Sequence, residues 1–77
     1  MNNNFYVEVG KALQEARQSK NYSQQDVADR LKVSRSTVAS WEQGRRSIYM
    51  DDLYRIADIL GVDVNDLVKT ARKYLFK

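Results

Sequence analysis

The 77-residue sequence contains no cysteine, no histidine and no proline, and only three glycines. The absence of cysteine excludes a disulfide framework and thiol chemistry, and the absence of histidine excludes the usual zinc ligand sets and histidine-based acid–base catalysis. No apolar run is long enough to cross a bilayer, and the N-terminal residues MNNNF lack the pattern of a signal peptide. We therefore expect one cytoplasmic domain over residues 1–77, with no membrane contact, metal, cofactor or small-molecule substrate.

The scarcity of glycine and proline favours helices with short connections. Apolar residues recur at the three- and four-residue spacing of amphipathic helices, as they do from Phe5 to Ala16. The predicted helices cover residues 5–20, 24–31, 35–43, 50–60 and 64–76. The sequence therefore predicts an all-α fold of five helices around one core.

One stretch, SQQDVADRLKVSRSTVASWEQGRR, is predicted to form two short helices joined by a tight corner. Ser23 is suited to cap the first helix, because its hydroxyl can accept a free backbone N–H, and Asp26 occupies the acidic position of a capping box. Lys32 and the valine after it form the corner. Ser34 caps the second helix and Gly44 ends it, since glycine most readily takes the left-handed conformation found at helix ends.

The second of these helices has two different sides when it is drawn at about 100° per residue. The packing side consists of Ser34, Val38, Trp41 and Glu42. The outward side consists of Ser36, Ala39, Ser40 and Gln43. This outward side is small, polar and uncharged, with Arg35 at its N-terminal edge, whereas an ordinary solvated side carries more lysine and glutamate. It can therefore approach a surface rich in hydrogen-bonding groups, such as the floor of the DNA major groove.

The net charge of +3 is unevenly distributed along the chain. Between residues 30 and 50 the only acid is Glu42. The cations of the same stretch are Arg30, Lys32, Arg35, Arg45 and Arg46. Five aspartates follow between residues 51 and 66, and the tail 69–77 is basic again. A basic patch beside an acidic flank is typical of a protein that turns one face to a polyanion.

The order of residues in this region resembles the phage repressor and Cro family of helix-turn-helix proteins, also called the XRE family. The resemblance is carried by Ser23-Gln24, Val27-Ala28, the run Val33 to Val38, and Trp41-Glu42-Gln43-Gly44. It continues through Leu53, Ile56-Ala57, Leu60-Gly61-Val62 and Leu67, and spans roughly residues 9–68. Two positions depart from the family pattern: Lys32 stands where the corner often has glycine, and Ile48 stands near the place of a frequent proline.

The resemblance implies a lambda-repressor-like fold with its helix-turn-helix at about 24–43, and sequence-specific DNA binding by a recognition helix over residues 35–43. The residues implied to contact bases are Arg35, Ser36, Thr37, Ala39 and Ser40. Those implied to contact DNA phosphates are Arg17, Gln24, Gln43, Arg45 and Arg46. The contact made by Arg35 stays open between two kinds, because a guanidinium can bind guanine O6 and N7 or a phosphate.

The resemblance also implies a structural pair. In the family, an arginine at the position of Arg17 pairs with the glutamate that follows the tryptophan, which is Glu42 in this chain. Such a pair would hold the first helix against the end of the recognition helix.

The last predicted helix is longer than the core requires, and it ends in Tyr74, Leu75 and Phe76. These residues could fold back on Phe5 and Tyr6, pair with a second copy across a two-fold axis, or lead into a longer natural chain. We favour a homodimer through the segment 64–76, because exposed contiguous apolar residues usually mark a contact. A dimer would place two recognition helices about 34 Å apart in successive major grooves, and it predicts a pseudo-palindromic operator.

Two functions are compatible with these patterns. The favoured one is a bacterial or phage-encoded transcriptional regulator that binds double-stranded DNA and represses by occluding polymerase. The alternative is a protein-interaction module on the same fold, such as an antitoxin or a coregulator, although such a surface more often has large aromatic side chains. An enzyme is disfavoured, since the sequence shows no nucleophile–base pair, no phosphate-binding glycine loop and no ligand cluster.

Overall fold

The computed structural model describes residues 4–75, which form five α-helices and one short 3₁₀-helix. The α-helices are α1 (Asn4–Ser19), α2 (Gln24–Leu31), α3 (Arg35–Glu42), α4 (Met50–Leu60) and α5 (Val64–Val68), and the 3₁₀-helix covers Ala71–Tyr74. Over the same range no β-strand occurs, and no helix combines the length and apolar content that a membrane span requires. The prediction of an all-α fold with five α-helices is confirmed.

The ends of α2 and α3 have the capping contacts that the sequence predicts. Ser23 Oγ accepts from the backbone N–H of Asp26 at 3.0 Å, and the Asp26 carboxylate accepts from the Ser23 N–H at 2.8 Å, which completes a capping box. Ser34 Oγ accepts from the Thr37 N–H at 3.1 Å. Between the two helices Lys32 has φ 60° and ψ 43°, so the corner takes the left-handed conformation without a glycine.

The core is formed by the apolar stripes of the α-helices. α1 packs against α3, α5 and the 3₁₀-helix, and α2 packs against α3 and α4. The loop residue Ile48, near the place of the family's proline, is also buried. The most deeply buried large side chains are Val9, Leu13, Val27, Leu31, Val38, Ile56 and Leu60. α3 is therefore held by its packing side, where Val38 and Trp41 are buried.

α1 approaches the end of α3 closely because Gly10 has no side chain. A Cβ atom at this position would lie 2.5 Å from the carbonyl oxygen of Trp41, closer than real Cβ contacts occur. Gly44, in the turn after α3, has a φ of 74°, and a Cβ there would lie 2.6 Å from the Cα of Val7. The two glycines therefore let α1 rest directly on the backbone at the end of α3.

The C-terminal segment corrects the prediction of one continuous helix over residues 64–76. α5 ends at Val68, the chain turns at residues 69–70, and a single 3₁₀ turn follows. This turn places Ala71 in the core with no exposed surface, next to α1. Lys69 and Thr70 keep right-handed helical dihedral angles, so the segment changes from α-helical to 3₁₀ hydrogen bonding without leaving the helical backbone region.

The three predicted contact residues of the tail have different places. Tyr74 is half-buried, and Leu75 is 58% exposed at one side of a groove that Phe5 and Tyr6 also line. Phe76 lies outside the described residues. Leu75 thus lies near the start of α1 but is not packed into the core, and the choice between the fold-back and the favoured homodimer stays a prediction.

Candidate nucleic-acid interface

α3 is held by its packing side and leaves its polar side accessible. Val38 and Trp41 are buried, with 0% and 4% of their surfaces exposed. The exposed residues on the other side are Arg35, Ser36 and Gln43. The half-buried ones are Thr37, Ala39 and Ser40. The structure thus brings the predicted base-contacting residues together on one helix, with no large side chain among them except Arg35.

Three hydroxyl groups meet at the start of α3. Ser34 Oγ lies 3.0 Å from Ser36 Oγ and 2.9 Å from Thr37 Oγ1, and it also accepts from the Thr37 N–H. A hydroxyl offers one donor and two acceptor positions, so Ser34 Oγ is close to saturated by these three contacts. The cap therefore orients the hydroxyls of Ser36 and Thr37 as well as the helix backbone.

A buried ion pair joins α1 to the end of α3. Arg17 Nε donates to Glu42 Oε2 at 2.6 Å, and Arg17 Nη2 donates to Glu42 Oε1 at 3.0 Å. Arg17 Nη1 donates to the Tyr22 carbonyl oxygen at 2.8 Å. Arg17 and Glu42 are only 9% and 7% exposed. The hydrogen bond to Glu42 raises the pKa of Arg17 above the usual arginine value, against the opposing effect of burial, so the guanidinium keeps its charge in this buried place.

Gln24, the first residue of α2, contacts both Glu42 of this pair and Arg35 at the start of α3. Its Nε2 donates to Glu42 Oε1 at 3.0 Å, and its Oε1 accepts from Arg35 Nη1 at 3.3 Å. The role predicted for Gln24 is a phosphate contact, and neither of these two bonds was predicted. No local pattern indicates them, because the partners are 18 and 11 residues away in the chain.

The loop after α3 is fastened to the helix itself. The backbone N–H groups of Arg45 and Arg46 point at the Ser40 carbonyl oxygen, at 3.1 and 3.4 Å. The side chains of Gln43, Arg45 and Arg46 are exposed. The backbone that carries these two exposed arginines is therefore held at the end of α3.

The burial of Glu42 changes the electrostatic character of the motif. It is the only acid between residues 30 and 50, and Arg17 neutralises it within the protein. The five cations of that stretch are all exposed: Arg30, Lys32, Arg35, Arg45 and Arg46. The accessible charge of residues 30–50 is therefore positive throughout.

Arg55 on α4 also contacts this region, although no role was predicted for it. Its Nη2 donates to the Leu31 carbonyl oxygen at the end of α2 at 3.0 Å, and its Nη1 donates to Asp52 at 3.1 Å. The side chain thereby binds a carbonyl oxygen that has no partner within the helix, and links α4 to the end of α2 just before the corner.

Comparisons with known proteins agree with this geometry. The helix-turn-helix family HTH_3 matches residues 13–67 of the chain. The chain is 32% identical over 62 residues to the HTH-type transcriptional activator BcrR of Enterococcus faecalis, covering 80% of this chain and 30% of BcrR. It is 32% identical over 69 residues to the control protein C.BamHI of Bacillus amyloliquefaciens, covering 88% of this chain and 85% of C.BamHI.

A solved structure shows the same arrangement of helices. The restriction-modification controller protein C.AhdI from Aeromonas hydrophila is similar with a TM-score of 0.76 and 29% identity, covering 80% of this chain and 94% of that one. The chain therefore spans less than a third of BcrR but most of the two controller proteins. With the family matched over residues 13–67 and the fold shared with a controller protein, the chain belongs to the HTH_3 helix-turn-helix family, whose members of the XRE type are DNA-binding transcriptional regulators and not enzymes.

Proposed function

We propose that the protein binds a pseudo-palindromic operator in double-stranded DNA as a homodimer, with α3 of each copy in the major groove. The observation that carries this proposal is the burial of Glu42 against Arg17. It removes the only acid from the accessible surface of residues 30–50, a stretch that has five exposed cations and the small polar side of α3. A phosphate backbone on either side of α3 would meet positive charge and no repelling carboxylate from this stretch.

The base contacts come from the polar side of α3. Arg35 supplies a planar guanidinium that matches guanine O6 and N7, and the hydroxyls of Ser36, Thr37 and Ser40 can donate to or accept from base edges. Ala39 lets the helix approach closely and can touch a thymine methyl group. All five residues lie on α3 and none is buried, with Ser36, Ala39 and Ser40 on its outward side, which is the support for their proposed role.

The phosphate contacts come from the residues around that side. Arg45, Arg46 and Gln43 lie in and next to the exposed loop, and Gln24 stands at the start of α2, where backbone N–H groups are free to bind an anion. Arg17 would contribute through the N–H groups of Nη1 and Nη2 that Glu42 and Tyr22 leave unused. Such contacts position the protein and supply salt-dependent affinity.

The dimer contact is proposed at the C-terminal segment, through Tyr74, Leu75 and Phe76. Leu75 belongs to an apolar groove whose rim also includes the exposed residues Tyr49 and Met50. Exposed apolar surface of this kind usually marks a contact between proteins. Two copies would read half-sites about 34 Å apart, and occupation of a promoter in the cytoplasm of a bacterium would exclude polymerase and repress transcription.

Selection of bound fragments from random double-stranded DNA at a stated salt concentration tests this function. We expect one motif with two inverted half-sites, one helical turn apart. A motif with a single half-site would contradict the dimer, and selection of no motif would contradict the function and favour the protein-interaction module.

Two variants then separate the roles of the arginines. Arg35→Ala should relax the preference at one base pair of each half-site and cost on the order of 1–3 kcal/mol of binding free energy if it reads a base. Arg45→Ala should weaken binding to all sequences alike and reduce the slope of log affinity against log salt by about one per copy. Lys20→Ala, which removes the same charge beside the end of α4, is the control and should leave the slope unchanged.

A further inference from the structure

Arg30 lies in the last turn of α2, but its side chain is bound to the residue just before the cap of that helix. Arg30 Nη1 donates to the Tyr22 hydroxyl at 2.8 Å, and the guanidinium carbon lies 4.5 Å from the centroid of the Tyr22 ring. The two residues are eight positions apart in the chain. The side chain of Arg30 therefore runs back along α2 towards its N-terminal end.

Tyr22 is a firm support for this cation because both its backbone and its ring are held. The ring is half-buried against the core, and the Tyr22 carbonyl oxygen accepts from Arg17 Nη1 at 2.8 Å. A guanidinium over an aromatic face is attracted by the ring electrons, and the hydrogen bond to the hydroxyl adds a second restraint. Since a free arginine side chain samples many rotamers, these two contacts together restrict where the charge of Arg30 lies.

The contacts with Tyr22 leave Arg30 able to bind an anion. The Tyr22 hydroxyl takes one of the five N–H groups of the guanidinium, and Arg30 is exposed. Asp26, one turn earlier on α2, attracts Arg30, but its carboxylate already accepts from the Ser23 backbone N–H. The guanidinium is therefore both fixed in place and accessible, and less side-chain entropy is lost when it binds.

The position of Tyr22 indicates which anion Arg30 meets. Tyr22 is bonded to Arg17 and stands two residues before Gln24, and both of those residues are proposed phosphate contacts. We propose that Arg30 binds a DNA phosphate next to theirs, and that Tyr22 is the positioning residue for Arg30. This inference rests on the proposed DNA-binding function and adds to it a residue for which no contact was predicted. The contact raises affinity for all sequences alike, because phosphates carry no sequence information.

The salt dependence of DNA affinity tests the phosphate contact with the full chain. Arg30→Met keeps a long, unbranched side chain that suits a helix but removes the charge. We expect weaker binding, by a similar factor, to the selected operator and to an unrelated duplex, and a slope of log affinity against log salt reduced by about one per copy. An unchanged slope would overturn the inference while leaving the proposed function intact. A parent protein that selects no DNA would instead contradict the proposed function itself.

Lys20→Met is the matched control. It removes the same charge two residues before Tyr22, but the Lys20 side chain lies beside Gly61 at the end of α4. It should leave the salt slope unchanged. A drop as large as that of Arg30→Met would show that the slope follows the total charge of the protein and not a contact of Arg30, and would also overturn the inference.

A double-mutant cycle tests the positioning role of Tyr22. Tyr22→Leu removes the ring face and the hydroxyl but keeps an apolar side chain against the core. It should lower operator affinity about threefold or more in the parent and have little effect in the Arg30→Met background, because contacting residues couple. Tyr22→Phe keeps the ring face and should recover part of the loss. Equal losses in both backgrounds would overturn the positioning role, since Tyr22 would then act through the fold and not through Arg30.

A measurement without DNA keeps the contact testable if the binding of a variant is too weak to quantify. In a carbon-13 spectrum of the free protein, the ring signals of Tyr22 should shift in Arg30→Met. The ring signals of Tyr54, which is 58% exposed on α4, should not. Unchanged Tyr22 signals would show that the two side chains do not interact in solution and would overturn the proposal.

Discussion

At the scale of single residues, Gly10 sets how closely α1 can approach α3. Its missing side chain leaves room for the carbonyl groups of Trp41 and Glu42. These are backbone atoms at the end of a helix, so they cannot rotate away as a flexible side chain would. A helix interior normally disfavours glycine by about 1 kcal/mol, and here the close contact compensates for that loss.

Gly10→Ala should lower the free energy of unfolding by about 1–2 kcal/mol, because the cost of overpacking exceeds the gain in helix propensity. Urea denaturation followed by circular dichroism measures this change. Gln14→Ala, at an exposed site of the same helix, is the control and should stay within about 0.5 kcal/mol of the parent. A stabilised Gly10→Ala protein would show that α1 does not rest on the backbone of α3.

Lys32 has an unusual backbone conformation, since a φ of 60° is disfavoured for residues other than glycine, asparagine and aspartate. Lys32→Gly should raise the free energy of unfolding by about 0.5–1 kcal/mol. Asn21 also has a φ of 60°, and Asn21→Gly should give a smaller gain because asparagine tolerates this conformation. Thermal unfolding of both variants tests this order, and an equal gain at both positions would contradict it.

At the scale of the helices, α2 and α3 are each fixed at both ends. The capping box of Ser23 and Asp26 starts α2, and Arg55 binds the carbonyl of Leu31 at its end. The hydrogen bonds to Asp26, first from the Ser23 backbone N–H and then from the Ser23 side chain, lower the pKa of Asp26 below its ordinary value. The box therefore favours the ionised carboxylate in the folded state.

This shift has a definite sign in the dependence of stability on pH. A carboxyl whose pKa is lower in the folded state stabilises the fold above its ordinary pKa, and this contribution is lost as the pH falls through the folded-state value. Asp26→Asn should therefore be less stable than the parent at pH 7, and the difference should narrow below about pH 4. Thermal melts of both proteins across this range measure it, and a constant difference at every pH would contradict the assignment.

The buried ion pair between Arg17 and Glu42 joins α1 to α3. Replacing one of its two partners should destabilise the fold far more than replacing one partner of an exposed ion pair. Glu42→Ala leaves a buried arginine without its anion and should lower the free energy of unfolding by about 3 kcal/mol or more. The double variant Arg17→Met/Glu42→Leu should recover much of this loss, because no charge is then left unpaired. Equal losses for the single and the double variant would show that the pair does not act through its charge.

Local interactions explain which parts of this structure could be predicted from the sequence. The caps at Ser23 and Ser34 and the apolar periodicity depend on residues within one or two turns, so the bounds of α1 to α4 were close to the predicted ones. The pair of Arg17 and Glu42 was implied by the family resemblance and not by the residues themselves. Two features were not predicted because they depend on residues distant in the sequence. The helix that begins at residue 64 ends at Val68, and Ala71 packs in the core next to α1. Gln24 bonds to residues 18 and 11 positions away.

At the scale of the whole molecule, three exposed large apolar residues, Tyr49, Met50 and Leu75, line one groove that includes no residue of α3. An apolar groove of about 350 Å³ lies between the start of α1, the start of α4 and the tail. Its lining includes Phe5, Tyr6, Tyr49, Met50, Leu53 and Leu75. The proposed dimer would cover this groove and leave both reading helices free.

Leu75→Lys should raise the dissociation constant of the dimer about tenfold or more, since burial of a leucine side chain contributes about 1.5–3 kcal/mol. Sedimentation equilibrium over a range of protein concentrations measures this constant. Tyr54→Lys is the matched control, because Tyr54 is as exposed as Leu75, at 58%, but does not line the groove. An unchanged dissociation constant for Leu75→Lys would place the dimer contact elsewhere or exclude it.

The attachment of the loop to the Ser40 carbonyl has a consequence for how the protein would search a genome. In the proposed complex, Arg45 and Arg46 extend from a backbone that is bonded to the same helix as the proposed base-contacting residues, so their phosphate contacts would hold α3 beside the bases. A molecule that slides along unrelated DNA would then pass successive base pairs without refolding, and since sliding keeps the number of displaced counterions constant, we expect its rate of sliding to depend little on salt concentration.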